Sequence, residues 1–465
     1  MLQGAFGGLL ANLFNKNIGV NILSSVVFVF TPIMIERAFR HCALTAHFLI
    51  LSALYYYFKN KGRTDFKATI PFFIINALAI TIHPYFLPFT FGIMFAFCIE
   101  NFLLHKKYVS SMGYILMSIA STLFVGYVIG AFYTPGSLSN IGYGTFNMNL
   151  NALHNPISNG FSNWSSVLEI KPHVILFQIE GFNYLGLGII VFVFISTLLY
   201  LLSCKKDIFK VTFNFIKNNF GIIFSTTALL VFAVGDWLSF GGLRFFHIPF
   251  PQDWIDGIFG IFRANGRFGW LLVYSIVIFV IFNLSKIKNN KLAVALISVL
   301  LFIQIFDMRG VLASKNAYFT SKDGDLQAQV YHSVLKNSFW DDLSEKYEVC
   351  THVKTNIPNS NIEMAVKFGK NNHASNSGFE ARVDERKAWQ LHSDVYKRVA
   401  NGTLADNEVI IADWIPTDGT YDNIVKNNYS AFCVEGDYII CNNKFTEAEL
   451  QQYMAEGNFE IIHLS

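Results

Sequence analysis

The sequence predicts an α-helical polytopic membrane protein of about 9–10 transmembrane helices, with a small soluble domain at its C-terminal end. Three observations predict it. Hydrophobic residues make up 53% of the 465 and aromatic residues 16%. Charged residues are only 14%, against roughly 25% in soluble domains. The charges are unevenly spread: Met1–Asp307 is mostly apolar runs with short polar breaks, and Met308–Ser465 has an ordinary soluble composition. The division is therefore 1–307, transmembrane, and 308–465, soluble and extracytoplasmic. A net charge of +3 gives no reason to expect nucleic acid.

The spans follow in order. Met1–Phe14 is apolar but short of the roughly 20 residues a span needs. It has no basic n-region, so it does not read as a cleavable signal. The candidates are Gly19–Ile35, Cys42–Phe58, Ala68–Ile82, Tyr85–Phe102, Ser110–Tyr133, Tyr184–Ser203, Phe220–Val234, Phe268–Leu284 and Leu292–Phe306. His83-Pro84 divides what would otherwise be one run, because proline disfavours helix at the preceding residue.

Lysine sets the orientation. Lys59, Lys61 and Lys67, with Arg63, fall in one loop. Lys106 and Lys107 fall in a second, Lys205–Lys217 in a third and Lys286–Lys291 in a fourth. With these spans, all four lie on one side, which is therefore cytoplasmic. The opposite side receives Glu36–His41, His83, the segment Thr134–Asn183, the loop Gly235–Arg267 and everything after Asp307. Its cations are mostly Arg and His. Arginine there runs against the positive-inside bias, so another requirement keeps it. The same scheme starts Met1 outside.

The loop from Gly235 carries Arg244, Arg263 and Arg267 among aromatic residues. Arg263 and Arg267 are four apart, so on a helix they share a face, at headgroup depth. They read as a two-pronged phosphate clamp or as interfacial anchors. In ERAFRHCALTAH, one helix would place Arg37, Arg40, His41 and His47 on one stripe. That stripe faces a polar cavity, or else holds a Glu36–Arg40 surface pair and structural histidines. In QIEGFNYLGLG, Glu180 reads as a general base, a sugar-hydroxyl acceptor or a solvated interfacial carboxylate. Gly181, Gly186 and Gly188 beside it permit close helix approach. Thr134–Asn183, rich in Asn and Ser with Trp164 and Tyr143, suits either carbohydrate or an ordinary loop.

The six cysteines have no metal spacing, and no metal site is expected. Cys433 and Cys441 flank Gly436-Asp437, a hairpin signal, and could pair across two strands. VIIADWIP and AFCVEGDYIICNN read as strands and Asp384–Asn401 as helix, so the tail is expected to be α/β or α+β. Asn376–Arg382 reads as a surface loop that could also reach a membrane site. P-loop, G-x-S-x-G, H-E-x-x-H and C-x-x-C patterns are missing from the sequence, which leaves soluble nucleotide chemistry unsupported.

SSVVFVFTPIMIERAFRHCALTAHFLILSALYYY, GFNYLGLG and FRANGRFGWLLVY followed by QIFD (Gln304–Asp307) resemble the DUF6311 family of bacterial multi-spanning proteins. That family is similar to the GT-C class of membrane glycosyltransferases. The resemblance implies a GT-C-like fold in the bacterial cytoplasmic (inner) membrane. It implies a sugar transferred on the outer face from a polyprenyl-phosphate donor to a glycan or lipid acceptor. From the residues themselves, Glu180 and His41 are the catalytic candidates, and the family's acidic base carries over to no residue here. Arg37, Arg40, His83, Arg244, Arg263 and Arg267 are the candidates for phosphate, all converging on one outer cavity. No cofactor is evident, and a divalent cation is compatible with such chemistry. GT-C enzymes place their acidic residue in a first outer loop. MLQGAFGGLLANLF looks like the pattern after that loop, so a fragment, a split gene or an inactive chain is expected. The alternatives are a transporter or flippase for a lipid-linked sugar, and a non-catalytic subunit of a glycosylation complex.

Overall fold

The computed structural model describes the chain except for Arg40 and residues 133–142, 159–161, 174–175, 205–206, 255–258, 321–332, 354–358, 377–384, 413–423, 425, 443 and 463–465. Two compact units divide it, the first ending at Thr320.

The first unit is helical. Its N-terminal part holds α1 (Leu2–Phe14), α2 (Ile18–Val29), α3 (Pro32–Phe39), α4 (Phe48–Lys59) and α5 (Ile70–Ile82). Next come α6 (Leu87–Leu104), α7 (Tyr108–Val128), α8 (Leu187–Cys204), α9 (Ile208–Asn218) and α10 (Phe220–Val234). A hairpin follows, β1 (Trp237–Phe240) and β2 (Leu243–His247), then the single turn α11 (Gln252–Trp254). The unit closes with α12 (Trp270–Ser285) and α13 (Asn290–Thr320).

Among the described residues, five helices are long and apolar enough to cross a membrane, or seven if each of two bent pairs is one span. The chain is a multi-pass membrane protein. The count is below the nine or ten expected from hydropathy, for physical reasons. The run Gly19–Ile35 is broken between α2 and α3, which bend by 50° at Thr31-Pro32. Cys42–Phe58 yields only the 12-residue α4. Leu2–Phe14 and Phe66–Ile82 are too short. Tyr85–Phe102, Tyr184–Ser203 and Phe268–Leu284 form spans close to their expected limits, whereas Phe220–Val234 qualifies only together with α9. The break at His83-Pro84 is where proline placed it. α5 ends at Ile82, His83 is extended, and its ring accepts a hydrogen bond from the Tyr85 N–H. α13 does not stop at Asp307. Its 31 residues cover about 46 Å at 1.5 Å each, longer than the roughly 30 Å of hydrocarbon.

The bundle core is mostly apolar, with Trp270, Tyr274, Tyr57 and Phe72 among its buried side chains. At the lysine-bearing end, the buried carboxylate of Glu100 accepts from the Tyr57 hydroxyl at 2.5 Å and the Gly221 N–H at 3.1 Å. α9 turns 77° from α10 and leaves Phe209, Phe213 and Ile216 exposed beside Lys210 and Lys217, the pattern of a helix lying in the interface.

The second unit contains a six-stranded mixed sheet. Its strands are β3 (Val349–His352), β4 (Ala374–Ser375), β5 (Glu408–Ala412), β6 (Tyr429–Val434), β7 (Asp437–Asn442) and β8 (Phe459–Ile461), in the order β4-β3-β5-β7-β6-β8. β3 runs parallel to β4 and β5, and the other pairs are antiparallel. α14 (Phe339–Lys346), α15 (Asn359–Lys370) and α17 (Glu447–Glu456) pack on one face through Phe339, Phe368 and Tyr453. α16 (Glu385–Ala400) covers the other through Val395 and Val399. The Gly436-Asp437 hairpin forms as its residues predict, but the cysteine pairing does not. Cys433 faces Tyr438 and Cys441 faces Ser430. Three residues separate those positions along a strand, so the two thiols point to opposite faces and stay free. Most of Asn376–Arg382 lies outside the described residues.

Candidate functional site

A pair of glycines builds the site. A Cβ on Gly266 would stand 2.6 Å from the Gly181 Cα, and one on Gly181 would stand 2.5 Å from the Asn147 carbonyl oxygen. Only residues without side chains allow this approach. It sets their neighbours, Glu180 and Arg267, side by side. Asn183 locks the contact, donating from Nδ2 to the carbonyls of both Gly181 and Gly266 at 2.9 Å. Asn265 ties the same turn to the end of α10, donating to the Phe232 and Ala233 carbonyls at 2.9 and 3.2 Å.

Onto this frame α3 delivers Arg37 from its last turn. Arg37 Nη1 and Arg267 Nη2 both meet Glu180 Oε2, at 3.2 and 2.9 Å. The three side chains are almost fully buried. The Arg37 guanidinium lies 5.7 Å from the Trp270 ring centre and that of Arg267 5.1 Å from Tyr85, stacking that suits a planar cation. The Nε atoms of Arg37 and Arg267 are buried and make no hydrogen bond. Glu36, also buried, adds a carboxylate next to Arg37 in the chain. His41 Nε2 stands 4.0 Å from Glu180 Oε1, with its side chain 54% exposed. His83 lies close enough to feel the Arg267 and His41 charges; burial first, then those charges, lowers it to about 4.

Glu180 itself is pulled in two directions. Burial raises its pKa, but Arg37 and Arg267 outweigh burial and hold it at about 2. A carboxylate of that acidity is a poor general base, which works best near the operating pH. Its geometry suits a charge-balancing group that orients the two guanidiniums.

The expected residues therefore divide. Arg37, His41, His83, Glu180 and Arg267 come together. Arg40 lies outside the described residues. Arg263 does not join Arg267, because Ala264 is not helical and separates two short 3₁₀ turns. The four-residue spacing then carries no shared face, and Arg263 is exposed. Arg244 sits on β2, exposed, 5.3 Å from the Trp237 ring. The stripe in ERAFRHCALTAH is likewise broken: α3 ends at Phe39, and His41 adopts φ +54° ahead of a 3₁₀ turn. His47 is buried in the bundle, its Nδ1 2.8 Å from the Tyr274 hydroxyl, which also accepts from Gln3 at 3.0 Å.

Asn147, Asn149, Asn151 and Asn155 of the long loop are buried, and Asn147, Asn149 and Asn155 donate to backbone carbonyls. Asn147 donates to the Val234 and Trp237 carbonyls. Asn149 donates to the Gly241 carbonyl and accepts from its N–H. Gln178 joins Asn147, Asn149 and Ser239. These buried amides are a scaffold for the hairpin and the end of α10.

Gln304 and Asp307, from the QIFD stretch, are both anchors. Asp307, buried, accepts from Ser165 Oγ, from the Tyr184 hydroxyl at 2.7 Å and from the Leu187 N–H at 3.1 Å. Gln304 donates to the Leu185 carbonyl at 3.0 Å and accepts from the Ile189 N–H at 3.2 Å. Gly186, at φ +87°, allows that approach: a Cβ there would stand 1.9 Å from Gln304 Nε2. Their spacing of three on α13 was the available signal. Among the described residues, no three His, Cys, Asp or Glu side chains form a set that could hold a metal ion.

Residues 1–309 match the family described as Domain of unknown function (DUF6311). No curated protein and no solved structure matches the chain.

Proposed function

This chain belongs to the DUF6311 family, and on that premise we propose that it is a GT-C-like membrane glycosyltransferase. It takes a sugar from a polyprenyl-phosphate donor at the outer face of the bacterial cytoplasmic membrane. One observation carries the reading. Arg37 and Arg267 share a single carboxylate oxygen, and each keeps a buried Nε–H without an acceptor. Planar guanidiniums suit phosphate oxygens. In the transfer, the bond from the anomeric carbon to the phosphate oxygen breaks and its electron pair stays on the phosphate. The acceptor hydroxyl forms the new glycosidic bond and gives up its proton. Fixed cations bind the phosphate more strongly as its charge grows, which lowers the barrier. His41, an imidazole beside the cluster, is the group suited to take the proton.

The cluster's position supports surface chemistry over transport. Arg37 lies near the end of the α2–α3 pair, while His83 and Arg267 lie at the starts of the spans Pro84–Leu104 and Asn265–Ser285. These are the lysine-poor ends. A transporter would place such charges near mid-membrane.

The test is transfer from lipid-linked sugars by the full-length protein at equal membrane abundance. Arg267→Ala and Arg37→Ala should each lower the rate on the order of 10²–10³-fold. Arg267→Lys should also be slow, since an ammonium lacks the fork. Arg263→Ala should stay near wild type. Unchanged transfer by both Arg267 variants would remove it from the site. A wild type that transfers from no polyprenyl donor would favour a transporter or a non-catalytic subunit.

The location has its own test. Reporter fusions after Lys59 and Lys288 should read cytoplasmic and a fusion after Asp307 external, as the lysine loops require. A cytoplasmic signal after Asp307 would invert the scheme.

A further inference from the structure

The β1–β2 hairpin exposes an unusual surface. All five residues of β2 are exposed, with Leu243 at 72%, Phe245 at 59% and Phe246 at 56%, and Phe240 on β1 at 53%. Apolar side chains held out on both sides of a ribbon are unfavourable in water, by roughly 25 cal/mol for each Å² left exposed. The hairpin is also held rigid. Asn149 clamps both polar groups of Gly241 at the turn, Asn147 holds the Trp237 carbonyl, and Gln178 holds Ser239.

We propose that this hairpin is a wedge seated in the lipid headgroup layer, fixing the depth at which the Arg37–Glu180–Arg267 cluster meets the bilayer. Its place in the chain supports that occupant. β1 starts at Trp237, just after α10 ends at Val234, and the chain re-enters a span at Asn265. The ribbon thus continues directly from membrane-crossing helices. Its chemistry fits the interface: Arg244 stacks on Trp237, and His247 lies 4.5 Å from the same ring. Aromatic rings with cationic tips are the side chains that settle at headgroup level. The wedge is wired to the site as well. Gln178, which grips Ser239, is two residues from Glu180, so the ribbon and the carboxylate move as one piece. On the lipid-donor reading, from which this last consequence takes its meaning, the wedge selects substrates carried in the membrane over those free in water.

A photoreactive residue tests the wedge without any substrate. Phe245→p-benzoylphenylalanine is placed in the full chain, in nanodiscs of phosphatidylethanolamine and phosphatidylglycerol, with Glu169→p-benzoylphenylalanine as the control. The Glu169 side chain is 89% exposed in a loop outside the hairpin. After illumination, mass spectrometry should find lipid adducts at 245 and lose them at 169. Covalent dimers at 245 would show that a second copy covers the surface and would overturn the proposal. Capture of another protein, or no adduct, would overturn it too. Sugar transfer is not read in this experiment, so its failure leaves the wedge untouched, and a water-facing hairpin leaves the transferase reading untouched.

Discussion

Glu180→Ala should destabilise the membrane unit by about 3–5 kcal/mol, the cost of breaking a buried ion pair from one side. The carboxylate is the shared partner of Arg37 and Arg267. Without it, two buried guanidiniums face each other with nothing between them. Thermal unfolding in detergent reads the effect. Replacing all three groups with apolar residues, as Arg37→Met, Glu180→Leu and Arg267→Met together, should recover much of the loss, since an apolar set of similar volume avoids the desolvation penalty. If the triple variant is no more stable than Glu180→Ala, the cluster is not the source of the loss. The pH dependence has a definite sign. The folded-state pKa, about 2, lies below the ordinary value of 4.5. The contribution is complete above the ordinary value and fades as pH falls through the folded one. Acid unfolding should therefore lose its Glu180 component between these two values.

Asp307→Ala should destabilise by on the order of 3 kcal/mol or more, because three donors lose their acceptor at once and each buried orphan costs about 1–3 kcal/mol. The donors are Ser165 Oγ, the Tyr184 hydroxyl and the Leu187 N–H. They join the loop before α8 to the middle of α13. Asp307→Asn keeps an acceptor oxygen and should cost less. The same unfolding measurement decides: equal losses for Ala and Asn would assign the effect to charge, and no loss in either would show that α13 holds the loop by packing alone.

Much of this was legible in the sequence, for local reasons. A run of about 20 apolar residues can form a span by itself, so the spans around Tyr85–Phe102 and Phe268–Leu284 were readable. Proline acts on its immediate neighbour, so the break at His83 was readable too. Gly181 and Gly188 announced close contacts, and each has a backbone oxygen 2.5 Å from where its Cβ would be. Glu180 and Arg267 were readable as members of one site through their shared side of the membrane. So was Arg37, but its direct pairing with the other two was not. Arg37 and Arg267 lie 230 positions apart, and no spacing rule links them, whereas Arg263 lay four away and drew attention under a helical rule that two 3₁₀ turns set aside. The break at His41 depended on a left-handed residue that is not glycine, which composition does not announce. The asparagines left sugar and ordinary loop both open, because an amide suits a hydroxyl and a backbone carbonyl equally well.

The shared carboxylate means that the cluster already contains an anion, bound in place. A phosphate that takes over the guanidinium faces now turned to Glu180 would draw Arg37 and Arg267 away from that buried carboxylate. A buried carboxylate whose counter-charges are drawn away regains affinity for a proton. Loading the site is then coupled to proton uptake, and by linkage the affinity for the anion rises as pH falls. The same exchange returns the proton when the anion leaves and the two arginines close again on Glu180. Arg37, Arg267 and Glu180 would then work as a reversible stopper whose release is tied to the acidity of the compartment it faces.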